Sequence, residues 1–118
     1  MKNFKKLAIW QKGMLIVDLA YQMTATFPNT EKFQLSSQCQ RAAVSIPSNI
    51  AEGSSRRSSK DEYRFMEIAL GSSFELETQV IIAQSRAYSP PEIFIKILNE
   101  IDQEQRMLMR YMDKINPN

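Results

Sequence analysis

Histidine is missing from this 118-residue sequence. Ser-His-Asp and Cys-His catalysis go with it, as does the commonest protein ligand for metal ions. Cysteine occurs once, as Cys39, so no internal disulfide can form, which suits a reducing cytoplasm. Without a histidine to activate it, Cys39 reads as a buried core thiol. Glycine occurs three times, never in the G-x-x-x-x-G-K order that cradles phosphate. No apolar run approaches the ~20 residues of a membrane span. The start, MKNFKKLAIW, has neither the apolar stretch nor the cleavage site of a signal peptide. Strand-like alternation, internal repeats and low-complexity tracts are also lacking. Asp61, Glu62, Glu75 and Glu77 have no E-x-x-H companion, which argues against a di-iron bundle. The sequence therefore predicts a non-enzymatic protein with no cofactor and no metal.

What remains is rich in helix formers and apolar side chains, in one domain spanning residues 1–118. Leu7, Trp10, Met14, Val17, Tyr21 and Thr24 recur at helical spacing and predict a first helix over residues 5–26, with Ile9, Ile16 and Ala20 as a second apolar line. Trp10 and Tyr21 read as core residues. Phe27-Pro28 ends this helix, because the residue before proline avoids the α region. After a connector at 30–34, a second helix is expected over 36–52, capped by Ser36 or Ser37. It turns Cys39, Ala42 or Ala43, Ile46 and Ile50 inward, is kinked or broken at Pro47, and is closed by Gly53.

Ser59-Lys60-Asp61-Glu62 and Ser89-Pro90-Pro91-Glu92 match the S-x-x-E capping box, predicting helices over 59–88 and 91–115. The last keeps a heptad through Phe94, Leu98, Ile101, Gln105, Leu108, Met112 and Ile115. Short connections between long helices predict an all-α, antiparallel up-down-up-down four-helix bundle. Three of the four helices carry more apolar surface than one bundle needs. That excess predicts a homo-oligomer, as a closed ring or a dimer.

The stretch 38–53, QCQRAAVSIPSNIAEG, is unlike a plain amphipathic helix. Its Gln38, Arg41, Asn49 and Glu52, with Glu75 from the third helix, are candidates for a polar network that fixes packing register, or else for a ligand site. Gly71, flanked by Ser72 and Ser73 in mid-helix, suggests close backbone approach against Ala42 and Ala43. The net charge is only +2, but the cations cluster. Lys2, Lys5, Lys6 and Lys12 occur without an intervening acid, and Arg56, Arg57, Lys60 and Arg64 surround the second loop. Both clusters are candidates for phosphate contact, set against the alternative of a solvated surface.

The 38–53 string, Arg56 beyond it and the ALGSSFELET segment at 69–78 together resemble the bacterial proteins encoded within intervening sequences of 23S rRNA genes. Trp10-Gln11-Lys12 and the Phe27-Pro28 turn fit the same resemblance, which covers nearly the whole chain. That family is similar to the accessory variability protein of diversity-generating retroelements. The resemblance implies a four-helix bundle assembled into a homopentameric ring. It also implies a nucleic-acid-binding role, toward RNA or DNA, and a reverse transcriptase as a possible partner; it implies no enzymatic activity. The alternative function is a protein–protein adaptor that does not touch nucleic acid.

Overall fold

Leu7 is extended (φ −72°, ψ 129°), and it divides a short 3-10 turn, Phe4–Lys6, from the first long helix. The computed structural model describes residues 3–118, and among these every regular element is helical. Four long helices follow one another: α1 (Ala8–Thr24), α2 (Leu35–Ser54), α3 (Ser59–Ser85) and α4 (Pro91–Ile115). A second 3-10 turn, Asn29–Glu31, lies between α1 and α2. α1 and α3 each pack against both α2 and α4, so the four helices enclose one core. Cross-contacts set the register. Thr24 meets Gln40 at 3.1 Å, Ser45 meets Ser72 at 2.8 Å, Glu77 meets Gln105 at 2.9 Å and Lys12 meets Glu100 at 2.5 Å.

The core face of α1 is Ile9, Ile16 and Ala20, the line read from the sequence as secondary, with Met23 added to it. Met14 and Tyr21, from the expected main seam, are exposed at 41% and 49%, so Tyr21 is not a core residue. α1 is apolar on most of its circumference, and periodicity alone could not choose between two stripes. Small residues decided it: Gly13 lets α1 approach α2, where a Cβ would lie 3.4 Å from Ile46 Cγ2 and Pro47 Cβ.

α2 runs through Pro47 without a break. Pro47 is buried, and packing on both sides holds the helix where its own hydrogen bonding is one donor short. The expected cap at Ser36 or Ser37 does not form, because α2 begins one residue earlier and Ser36 is buried within it. Gly53 does not terminate the helix either. It sits inside α2, where a Cβ would stand 2.9 Å from Phe65 Cβ. It is a contact glycine rather than a turn glycine.

At α3 the cap is Ser58, not Ser59: its side chain accepts from the Asp61 N–H at 3.1 Å. α3 stops at Ser85 because Ala87 adopts a left-handed conformation (φ 55°). The Ala87 N–H then donates to the Gln84 carbonyl (3.0 Å) and the Tyr88 N–H to the Ala83 carbonyl (3.1 Å), a Schellman closure made without glycine. The second capping box is also not formed. Ser89 donates instead to the Met23 carbonyl (3.2 Å) and bonds Thr26 Oγ1, tying the α3–α4 turn to the end of α1. α4 buries Phe94, Ile101, Gln105, Leu108 and Met112 of the predicted heptad, with Ile97 and Glu104 beside them.

Candidate nucleic-acid interface

Two basic clusters far apart in sequence share one end of the bundle. α2 ends where α1 begins, and the Phe4–Lys6 turn packs on both. Lys5 and Lys6 thus lie at the same end as the 55–58 connection and the first turns of α3 that carry Arg56, Arg57, Lys60 and Arg64. The C-terminal part of α4 reaches the same end, since the Tyr111 hydroxyl donates to Glu62 Oε2 at 2.7 Å. It brings two cations that the sequence reading missed. Arg110 and Lys114 line a shallow groove with Leu7 and Ala8. Their i, i+4 spacing on α4 is visible in the sequence; their proximity to the N-terminal lysines is not.

The side chains differ in availability. Lys5, Lys6, Arg57 and Lys60 are exposed and make no ion pair with a described residue. Arg56 is paired with Glu52 at 3.1 Å and lies over the Phe65 ring at 4.7 Å; Arg64 approaches the same ring at 6.0 Å. The ring holds both guanidinium groups near the turn, where a cation–π contact tolerates a phosphate on the outward edge. An open cavity at the turn is lined by Ser54, Ser55, Arg56, Arg57, Ser58, Ser59 and Glu62. The Ser54 hydroxyl is buried there without a partner. Asp61 and Glu62 offset part of the charge, though Glu62 is buried and accepts from Tyr111.

Lys12 does not join this set. It is half-buried in the α1–α4 seam, bonded to Glu100 Oε2 at 2.5 Å and Gln103 Oε1 at 2.9 Å. Lys2 lies outside the described residues.

The expected polar network is only partly assembled. Gln38, Arg41 and Glu75 do converge on one groove between α2 and α3, with Ser45 and the buried Gln79. Asn49 bonds Ser45 instead, and Glu52 pairs with Arg56. No hydrogen bond among the described residues joins any two of Gln38, Arg41, Asn49, Glu52 and Glu75. Arg41 and Glu52 do share a line along α2, but that line faces outward, so no burial forces them to pair. α2 also exposes Val44, and α3 exposes Ile68, Phe74 and Ile82. Gly71 lies on this outer side of α3, and a Cβ there would meet nothing within 4 Å. The close approach expected against Ala42 and Ala43 is therefore not made.

Cys39 is fully buried, and burial pushes its thiol up to about 12. Among the described residues, no group of three or more His, Cys, Asp or Glu side chains is placed to hold a metal ion. No helix among the described residues is long and apolar enough to cross a membrane.

A comparison with curated proteins gave no match. Among solved structures, a protein of unknown function from the S23 ribosomal protein family of Bacteroides thetaiotaomicron VPI-5482 superposes with a TM-score of 0.82 at 23% identity. The alignment covers 89% of this chain and 98% of that one, and at such identity the likeness speaks to the fold. The family model described as 23S rRNA-intervening sequence protein matches residues 5–110, which include the 38–53 stretch, the 55–58 turn and most of all four helices. The chain belongs to the 23S rRNA-intervening sequence protein family.

Proposed function

We propose that this protein is a non-enzymatic, cytoplasmic accessory factor that binds RNA or DNA through the basic end of its bundle. One observation carries the reading: Lys5, Lys6, Arg57 and Lys60 gather at that end, exposed and without ion pairs to described residues. Exposed cations held on rigid elements engage phosphates without sequence readout. The bundle is up-down-up-down, as its cross-contacts favour, and it works as a homo-oligomeric ring, for which the family resemblance suggests five copies. The contact between copies is the α2–α3 groove, where unpaired Arg41 and Glu75, apolar Ile68, Phe74 and Ile82, and the open Gly71 lie together. A ring repeats each modest basic patch and so multiplies its affinity.

The exposed apolar side chains also favour a second reading, an adaptor that docks another protein, a reverse transcriptase included. Fluorescence anisotropy with labelled RNA and DNA, at several salt concentrations on protein stripped of nucleic acid, separates the two. Phosphate binding gives a linear fall of log affinity with log salt, about −0.7 per contact on single strands and −0.9 on duplex DNA. No binding at low salt refutes the nucleic-acid reading. A monomeric mass by sedimentation at micromolar concentration refutes the ring.

A further inference from the structure

At the centre of the core, α4 carries a carboxyl group that the heptad pattern hides. Glu104 has no solvent exposure, and neither of its oxygens has a hydrogen-bond partner. Each surrounding element withholds a donor. α1 presents Gly13, whose missing Cβ makes the room: a Cβ there would lie 3.2 Å from Glu104 Oε2. α2 presents Ile46 and Pro47 at the same point, and proline has no N–H to give. α3, placed by the bond between Glu77 and Gln105, turns the uncharged Ala69, Ser73 and Leu76 inward. The Ser73 hydroxyl donates to the Leu70 carbonyl at 2.6 Å. The cation that acts on Glu104 is Lys12, and its amine is already held by Glu100 and Gln103, one turn or less along α4.

We propose that Glu104 is a proton-operated lock in the core. Neutral, it lets α1, α2 and α4 close around it. Ionised, it draws Lys12 away from Glu100 and loosens α4 from α1. The geometry favours the neutral acid because a carboxylate needs donors, and the Lys12 amine is already engaged by Glu100 and Gln103.

Burial raises the carboxyl from its ordinary 4.5 to about 8, a rise that Lys12 partly opposes. The direction of the pH effect follows. Below about 4.5 the group is neutral in both folded and unfolded chains, and above about 8 it is ionised in both. Between these limits the folded protein holds a proton that the unfolded chain releases. The stability conferred by the neutral form is therefore complete at the acid end and is lost as pH rises through the window.

The test compares wild type with Glu104→Gln, which keeps the shape and cannot ionise. From urea unfolding, the ratio of folding constants, wild type over variant, should fall by up to about tenfold per pH unit through the window and level off above about pH 8. At pH 8 the buried Cys39 should be alkylated faster in wild type than in Glu104→Gln, with the difference vanishing near pH 5. A pH-independent ratio in either measurement overturns the proposal. If Glu104→Gln does not fold, carbon-13 NMR of glutamate-labelled wild type decides. One glutamate titrating far above the rest, and moving higher still in Lys12→Met, supports the lock; all glutamates titrating together in the ordinary range overturns it.

Discussion

The two ends of the bundle differ in how their uncharged polar groups are used and in how densely their cations gather. At the end holding the α3–α4 turn, several uncharged polar side chains are committed to the chain itself, while Lys32, Arg86 and Lys96 are exposed without ion pairs to described residues. Ser89 binds Thr26 and the Met23 carbonyl, the Tyr88 hydroxyl donates to Glu31, and the Phe27 and Tyr88 rings sit 5.5 Å apart. At the other end the Phe4–Lys6 turn, the start of α3 and the last turns of α4 point cations outward, and Lys5, Lys6, Arg57 and Lys60 are left without ion pairs to described residues. Internal satisfaction serves stability; unpaired exposed charge serves little in an isolated domain, because surface ion pairs and lone charges contribute within about 1 kcal/mol. The difference teaches that hydroxyl and carbonyl contacts stitch one end, while the other gathers cations from three elements, the feature on which the proposed function rests.

Substitutions at each end sharpen that contrast. The largest expected effect on stability is at Gly53, beneath the basic turn. Gly53→Ala places a Cβ 2.9 Å from Phe65 Cβ and should destabilise by about 1–3 kcal/mol in chemical unfolding. Gly71→Ala, exposed in mid-helix with open space around it, should stabilise the isolated bundle by about 1 kcal/mol. If the α2–α3 groove joins copies, the same change should weaken assembly by sedimentation. At the stitched end, Ser89→Ala removes the bonds to Met23 and Thr26 and should cost about 1–2 kcal/mol without altering nucleic-acid affinity. A gain as small as that at Gly71 is expected at the stitched end: Ala87→Gly relieves the left-handed strain and should raise stability by about 1 kcal/mol, seen as a higher melting temperature.

Much of this architecture was legible in the sequence because apolar periodicity is a local signal. The four helices, the proline at the start of α4 and the buried Cys39 all follow from it. What was lost depended on neighbours. α1 offered two apolar stripes, and only Gly13 against Ile46 and Pro47 selected one. Gly53, expected to end α2, is crowded within it, and Gly71, expected in close contact, stands open, because whether a helical glycine is crowded depends on the helix opposite. Ser89 matched a capping box, yet its hydroxyl found the α1 terminus instead. Glu104 falls between heptad positions, so periodicity alone does not place it in the core, where it is fully buried. In the candidate site, Arg56, Arg57, Lys60 and Arg64 were readable as a local run. Their junction with Lys5 and Lys6, and the presence of Arg110 and Lys114, required knowing that α1 begins where α2 and α4 end.

The most direct measurement is nucleic-acid affinity against salt for two charge-neutralised proteins, one from each end. The first is Arg57→Gln with Lys60→Gln and Arg64→Gln; the second is Lys32→Gln with Arg86→Gln and Lys96→Gln. The account predicts that the first loses affinity and that its log–log salt slope flattens by about 2–3 per chain, while the second binds as wild type does. Equal losses at both ends, or none at either, would contradict it.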